Sequence, residues 1–479
     1  MAKRKLVLAY LVLAGVPLLA LIGALAAGRR LSAPHLGGII PTAQAHAKPA
    51  DGASLILLVA QIAVIILASR VVGYIFRRIG QPQVVGEMLA GILLGPSLLG
   101  WVAPELSATL FPAASLGLLT AFSQLGLVLF MFLVGLELNV KELYEQGRAT
   151  VLMSHVSIVA PFVLATVLSL YLYPRLSDDS VSFMGFALFM GAAMSITAFP
   201  VLARILTDRQ LLRTRLGSIA IACAAVNDVS GWCILAYIVV LIRAYQSSNS
   251  LWMMLAGLAI FMIMMIGFLR RLLIRFERLY TRTAVLSEDA LAIILLFLLI
   301  SSFSTQLLGL HLLFGAFMAG AVMPKDARFV AYLTEKFESV TVLLLLPLFF
   351  ASTGLRTRIG LLKGGEMWFY CTLIIAVAVL GKLGGTSIAA RAGGLSWRDA
   401  TALGILMNTR GLMELVILDI GLELKVISPA LFSMMVIMAL VTTFMTTPLL
   451  QWIRPPRAGE SYGTFGAEAK QHENFEPMN

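Results

Sequence analysis

The sequence predicts an all-α polytopic membrane protein: 13 transmembrane helices in an inverted-topology repeat, with two discontinuous helices. Three observations carry this expectation. Hydrophobic residues make up 59% of the 479 positions and charged residues only 13%, against about 25% charged in a soluble domain. Almost every stretch between charge clusters runs to about 20 apolar residues, the length of a bilayer-spanning helix. Three pairs of these stretches match one another at a single common offset.

That composition excludes a soluble multidomain chain, a disordered chain, a disulfide-rich secreted scaffold and a nucleic-acid binder. The net charge of +11 then reflects the Lys/Arg excess of loops on the cytoplasmic side. Cys223, Cys233 and Cys371 lie inside apolar runs without metal-ligand spacing, and read as small buried hydrophobes.

Taken in chain order, residues 1–53 form an N-terminal hydrophobic segment and an external linker. Its apolar run, 6–27, follows the basic start Lys3-Arg4-Lys5. It is either a signal peptide, with a small-x-small site at Ala45-His46-Ala47, or an extra helix. The distance of that site from the apolar run favours the helix. The exchanger-sized body, 54–452, then holds the 13 spans. In repeat 1, about 54–242, they are 54–75, 82–100, 115–138, 149–173, 181–206 and 214–242. Each is set off by basic residues, among them Arg77-Arg78, Lys141, Arg148, Arg175, Arg213 and Arg243. A linker helix, 251–269, stops at Arg270-Arg271. Repeat 2, about 286–452, holds 286–308, 309–323, 329–354, 367–390, 399–421 and 428–452. Gly and Pro interrupt 82–100, 181–206 and 399–421. A short polar tail, 453–479, closes the chain.

Thirteen spans place the connections alternately on two sides. One side collects 19 Lys and Arg residues and the other 6. The positive-inside rule therefore puts the C-terminus in the cytoplasm and residue 54 outside. Localisation in the cell (inner) membrane is expected.

Span three ends Leu129 to Glu137 with an aromatic pair and Gly135-Leu136, and span ten ends Leu348 to Arg356 with Phe349-Phe350 and Gly354-Leu355. Span two, around Gly91 and Gly95-Pro96, matches span nine, around Gly315 and Gly320. Spans five and twelve are the two most polar, broken ones. Each pairing has an offset of seven spans. An odd offset inverts orientation, so spans 1–6 repeat as 8–13 upside down. Inverted repeats with matched discontinuous helices indicate a secondary transporter whose substrate site lies where the breaks meet.

Charged groups at membrane depth mark that site. Asp228, beside Asn227 in the middle of span six, costs about 2.5–3.5 kcal/mol at a helix centre. It reads as a carboxylate that alternately binds a proton and a cation, against the plainer reading of a protonated Asp bonding a neighbouring helix. In span five, Pro200 removes a backbone donor and frees a carbonyl. Ser195 and Thr197 place hydroxyls beside it, oxygens that suit a hard cation; a simple proline kink is the alternative. Asp228 and Thr197 are the expected ligands of a transported monovalent cation, the one metal expected. In span twelve, Arg410 and Glu414 are four residues apart, on one helix face, with Gly411 at the break. They form either a structural ion pair or part of the transport machinery. Lys382 in span eleven either snorkels or faces the core and compensates Asp228. Glu87 and Glu137 lie nearer helix ends. Asp419, near the outer end of span twelve, could serve a funnel.

These residues, in this order, resemble the monovalent cation:proton antiporter-2 family, which includes Kef-type potassium efflux proteins and plant cation/proton exchangers. The likeness rests on Gln81-Pro82 to Glu87 with Gly91 to Pro96, Val134 to Glu137, Ser195 to Arg204, Val226-Asn227-Asp228 and Asn408 to Gly411. It covers about 54–452. It implies a sodium/proton antiporter-like fold with a dimerisation domain and a mobile core, hence a homodimer in the lipid bilayer. It implies Asp228 as the ion and proton site, spans five and twelve as the crossed helices with Thr197 and Arg410-Glu414, and Lys382 as the family's basic residue.

Two departures matter. Many electrogenic relatives carry two adjacent acids, whereas here the first is Asn227. One carboxylate holds one proton or one monovalent cation, which suits electroneutral exchange. The C-terminus carries only about 25 polar residues after span thirteen, with no Gly-rich nucleotide fingerprint, so no nucleotide-binding regulatory domain is expected in this chain. The expected function is therefore secondary antiport of H+ against Na+ or K+, with no cofactor and no nucleic acid. A sodium-coupled organic-solute symporter on a similar scaffold is the alternative, although few polar residues lie beyond the cation site. A membrane enzyme would need clustered acids, histidines or an H-E-x-x-H motif, which the chain lacks.

Overall fold

The computed structural model describes residues 11–34, 53–112, 114–138, 148–212, 214–246, 251–283 and 286–453. The basic start Lys3-Arg4-Lys5, the Ala45-His46-Ala47 site and the tail beyond Ile453 lie outside them. Among the described residues every regular element is helical. This is what a hydrocarbon solvent demands, because a helix satisfies its backbone groups internally.

The N-terminal run forms a π turn, Leu11–Gly15, and α1, Val16–Gly28. A Cβ on Gly28 would fall 1.8 Å from the Phe183 ring, so α1 packs directly on the body. Repeat 1 follows as α2 (Ala53–Arg78), α3 (Gln83–Leu94), α4 (Leu116–Glu137), α5 (Arg148–Leu176), α6 (Phe183–Ser195), α7 (Phe199–Asp208) and α8 (Arg215–Gln246). The linker is α9 (Leu251–Ile263), a π turn and α10 (Arg270–Thr283). Repeat 2 holds α11 (Glu288–Leu307), α12 (Leu312–Val322), α13 (Ala327–Val340), α14 (Leu346–Arg356), α15 (Gly364–Val379), α16 (Gly385–Ala392), α17 (Trp397–Met407), α18 (Leu412–Glu423) and α19 (Pro429–Ile453).

Twelve of the 13 expected spans are matched by helices, or by a bent helix pair, of crossing length, and the remaining one is short. Among the described residues 11 helices are long and apolar enough to cross a membrane, and 12 if α17 and α18, bent by 44°, count as one. The short one is 309–323. Only Leu312–Val322, 11 residues, is helical there. At 1.5 Å per residue it reaches about 17 Å, roughly half the hydrocarbon core.

The repeat is visible in how these helices touch. α3 crosses α14 with Gly91 against Gly354: a Cβ on Gly354 would lie 2.0 Å from the Gly91 carbonyl carbon. α12 crosses α4 with Gly320 against Gly135, where a Cβ on Gly320 would lie 2.0 Å from Phe132 O. Exchanging span two with nine and span three with ten turns one crossing into the other. Backbone-to-backbone approach of this kind explains why these positions are glycine.

Lys325, in the loop between α12 and α13, secures the second crossing. Its Nζ donates to Gly135 O and Leu136 O at 2.9 Å and to Gly320 O at 3.0 Å. It thus serves the open carbonyls at the C-terminal ends of both α4 and α12. Burial, with a smaller contribution from Arg270, holds its amine down to about 7. A lysine held low binds its proton less readily folded than unfolded. Folding therefore gains stability as pH rises from about 7 towards 10.5, the ordinary value. Lys325→Met is expected to leave the carbonyls unserved, lose about 1–3 kcal/mol and abolish that slope. Thermal unfolding in detergent at pH 7 and pH 9 should show the gap to wild type widening at the higher pH.

Candidate functional site

The site is built where α6–α7 and α17–α18 are interrupted. The first break is Ile196-Thr197-Ala198. Pro200 lies after it, in the first turn of α7, where its missing N–H removes no helical bond. The proline thus begins the second half-helix rather than kinking a continuous one. The second break runs from Asn408 to Gly411, and Gly411 N-caps α18. Its backbone is extended, and a Cβ there would press on Val201 and Ala198.

Interrupted helices leave carbonyls open at each C-terminal end, in surroundings without water. The two breaks serve each other. Arg410 Nη1 donates to Ala193 O at 2.9 Å and Nη2 to Met194 O at 2.6 Å, closing the end of α6. In return Thr197 Oγ1 donates to Met407 O at 2.8 Å and the Ala198 N–H to Thr409 O at 3.1 Å, closing the end of α17. α19 braces the second break: the Arg410 N–H donates to Thr443 Oγ1 and that hydroxyl donates to Arg410 O. A cation at a helix C-terminus also meets the negative end of the helix dipole. Glu414, in the first turn of α18, meets the positive end of its own helix and pairs with Arg410 Nη1 at 3.2 Å.

Lys382 faces the core and does not snorkel. It is fully buried and lies in a π turn, Leu380–Gly384, between α15 and α16. Such turns interrupt the 3.6-residue register and recur at functional sites. Its Nζ donates to Thr197 Oγ1 at 2.7 Å. Asn227 Nδ2 donates to the same oxygen at 3.1 Å, and Ser157 Oγ donates to Asn227 Oδ1 at 3.1 Å. The Thr197 hydroxyl thus donates once and accepts twice, its ordinary capacity. A cation could use it only if one of these donors moved. Ser195 Oγ is turned back onto Gly191 O at 2.5 Å.

Asp228 sits one position along α8 and is buried. Lys382 is near enough to act on it electrostatically. Its Oδ1 has no hydrogen-bond partner among the described residues, as have Asn408 Oδ1 and Thr409 Oγ1 on the second break. An unpaired buried carboxylate oxygen is costly. Both Glu414 oxygens also lack a hydrogen bond among the described residues. Glu414 lies against the Arg410 guanidinium, however, which leaves Asp228 Oδ1 the better placed to take a proton or a small cation.

The structure thus gathers Thr197, Asn227, Lys382, Arg410 and Glu414 around the crossing, with Asp228 beside them. Ser157 and Thr443, which hold Asn227 and Arg410, were missing from the sequence expectations. Their signal is faint: Ser157 has Ser154 and His155 close by and Thr443 is one of four threonines between 442 and 447, so nothing singles either out. Glu87 lies apart from this network and accepts from Gln83 Nε2 at 2.7 Å within α3.

A family model described as sodium/hydrogen exchanger, transmembrane, matches residues 63–453. The chain is 44% identical over 409 residues to the Na+/H+ antiporter NhaS4 of Synechocystis sp., covering 85% of this chain and 100% of that protein. It is 39% identical over 423 residues to cation/H+ antiporter 19 of Arabidopsis thaliana, covering 88% of this chain and 52% of that protein. With the K+/H+ antiporter 1 of Saccharomyces cerevisiae the identity is 35% over 410 residues, covering 84% of this chain and 47% of that protein. The chain therefore spans about half the length of the plant and yeast relatives. The solved sodium proton antiporter MjNhaP1 from Methanocaldococcus jannaschii superimposes with a TM-score of 0.60 at 15% identity, over 83% of this chain and 96% of that one. That likeness concerns the fold.

Proposed function

Because the chain belongs to the sodium/hydrogen exchanger family, we propose that it is a secondary antiporter exchanging a monovalent cation, Na+ or K+, for H+ by alternating access. The observation that carries the reading is the buried, unpaired Oδ1 of Asp228 beside two mutually capped helix breaks. Proton and cation compete for that carboxylate, so each can leave on one side only when the other has replaced it. The names of the relatives offer no counterpart for a sodium-coupled symporter.

The roles of the surrounding groups follow from charge. Lys382 and Arg410 balance Asp228 and Glu414, so the crossing is neutral when all four are ionised. Arg410 and Glu414 hold the breaks in shape. Lys382 and Asn227 fix Thr197, and release of that hydroxyl would offer the cation a second oxygen. Asn227 adds no charge, so one proton exchanges for one cation and the cycle is electroneutral. The proposal places the protein in the inner membrane as a homodimer with its C-terminus in the cytoplasm. The basic α10 end, with Arg270, Arg271, Arg275 and Arg278, supports that side as the inner one.

The test is a pH-sensitive dye trapped in proteoliposomes. Addition of Na+, K+ or Li+ on one side should move protons, equally with and without an ionophore that clamps the membrane potential. No dye response to any of the three ions would end the proposal. Asn227→Asp adds a second acid and is expected to make exchange respond to membrane potential; a variant still insensitive to it would overturn the charge counting.

A further inference from the structure

Asp228 needs a closed route on one side whenever it is open to the other. Trp232 lies four residues after Asp228 on α8, the same helical face one turn outward, and stacks on Phe317 of α12 with ring centroids 6.0 Å apart. Beyond it a small cavity between α8 and α12 is lined by Trp232, Leu235 and Val239 and by His311 and Phe314. This cavity lies along α8 on the side of Trp232 away from Asp228, towards the end proposed to face outside.

His311 stands at its rim. It N-caps α12, its Nδ1 accepting from the Leu313 N–H at 3.4 Å. With Nδ1 used as acceptor, Nε2 carries the hydrogen, and it faces Glu423 Oε2 at 3.7 Å. A second pair lies beside it: Arg356, at the end of α14, donates to Asp419 Oδ1. Asp419 and Glu423 are one turn apart on α18, so both acids leave one face of that helix. Their partners both belong to the unit built by the glycine crossings, α12 and α14. α18 itself leads back through Glu414 to Arg410 and the breaks. Arg243, at the same end of α8, also acts on Glu423.

Mutual capping tethers α18 to α6, and the Arg356–Asp419 ion pair and the His311–Glu423 contact tether it to α14 and α12. Moving the breaks relative to the glycine-crossed unit would have to part the second set. We propose that the His311–Glu423 and Arg356–Asp419 pairs form a two-point clasp that closes the outer route to Asp228 and must open once in every exchange cycle. The proposal rests on Asp228 being the carrier. These four are positioning residues: none touches the transported ion.

The test uses the full chain in proteoliposomes, with cysteines at both positions of the second pair, Arg356→Cys and Asp419→Cys. Oxidation should lower cation-driven proton flux more than tenfold, a reducing agent should restore it, and each single variant should ignore oxidation. A cross-linked double variant exchanging at its reduced rate would overturn the clasp. If the thiols stay free on oxidation, charge reversal decides. Arg356→Asp and Asp419→Arg should each slow exchange, and the two together should recover most of the rate; a combined variant no faster than either single one overturns the clasp equally. Failure of the carrier reading is seen separately, as exchange retained in Asp228→Asn.

Discussion

Asp228→Asn is expected to abolish cation-driven proton flux, by more than a hundredfold, while the protein remains folded and membrane-inserted. The amide is nearly the same size, so packing around α8 survives. It cannot bind or release a proton at neutral pH, and it offers a cation no negative charge. Proteoliposome flux measures the loss, and an unchanged size-exclusion profile with unchanged thermal unfolding checks the fold. Exchange persisting in the variant would mean that another group carries the proton.

The second large effect falls on stability. Arg410→Met is expected to destabilise the fold by about 3–5 kcal/mol, the cost of breaking a buried pair from one side. It strips Ala193 and Met194 of their donors and strands Glu414, which is 1% exposed. Adding Glu414→Gln should return part of the loss, because the stranded charge disappears while the open carbonyls of α6 remain. Thermal unfolding in detergent distinguishes these. An Arg410→Met protein as stable as wild type would show that the arginine caps nothing of consequence.

Much of this was legible in the residues. Runs of about 20 apolar positions located most spans, since hydrocarbon thickness sets their length. Both interruptions, the carboxylate in span six and the Arg410–Glu414 pair were also legible, because a polar or charged residue at membrane depth is expensive enough to stand out. Lys382 stood out in the same way, although its direction did not: the π turn that aims it inward has no periodic signature. The shortness of the helix inside 309–323 was not legible, because its neighbours are equally apolar and apolarity does not report where the helical turns stop. Reciprocal capping was out of reach. The carbonyls served by Arg410 lie 217 and 216 positions away, and any backbone carbonyl looks the same in sequence. The pairing of spans two with nine and three with ten survived because glycine crossings demand particular residues on both partners.

The mutual dependence of the two breaks bears on how the chain is made. A ribosome delivers α6 and α7 long before α17 and α18 exist, and about 200 residues must follow before Arg410 and Thr409 are available. Until then the end of α6 has no protein donor for its carbonyls. The newborn N-terminal half must therefore wait with that segment shielded by water, lipid headgroups or an insertion factor. A chain cut short before span twelve should be a substrate for membrane quality control and degradation.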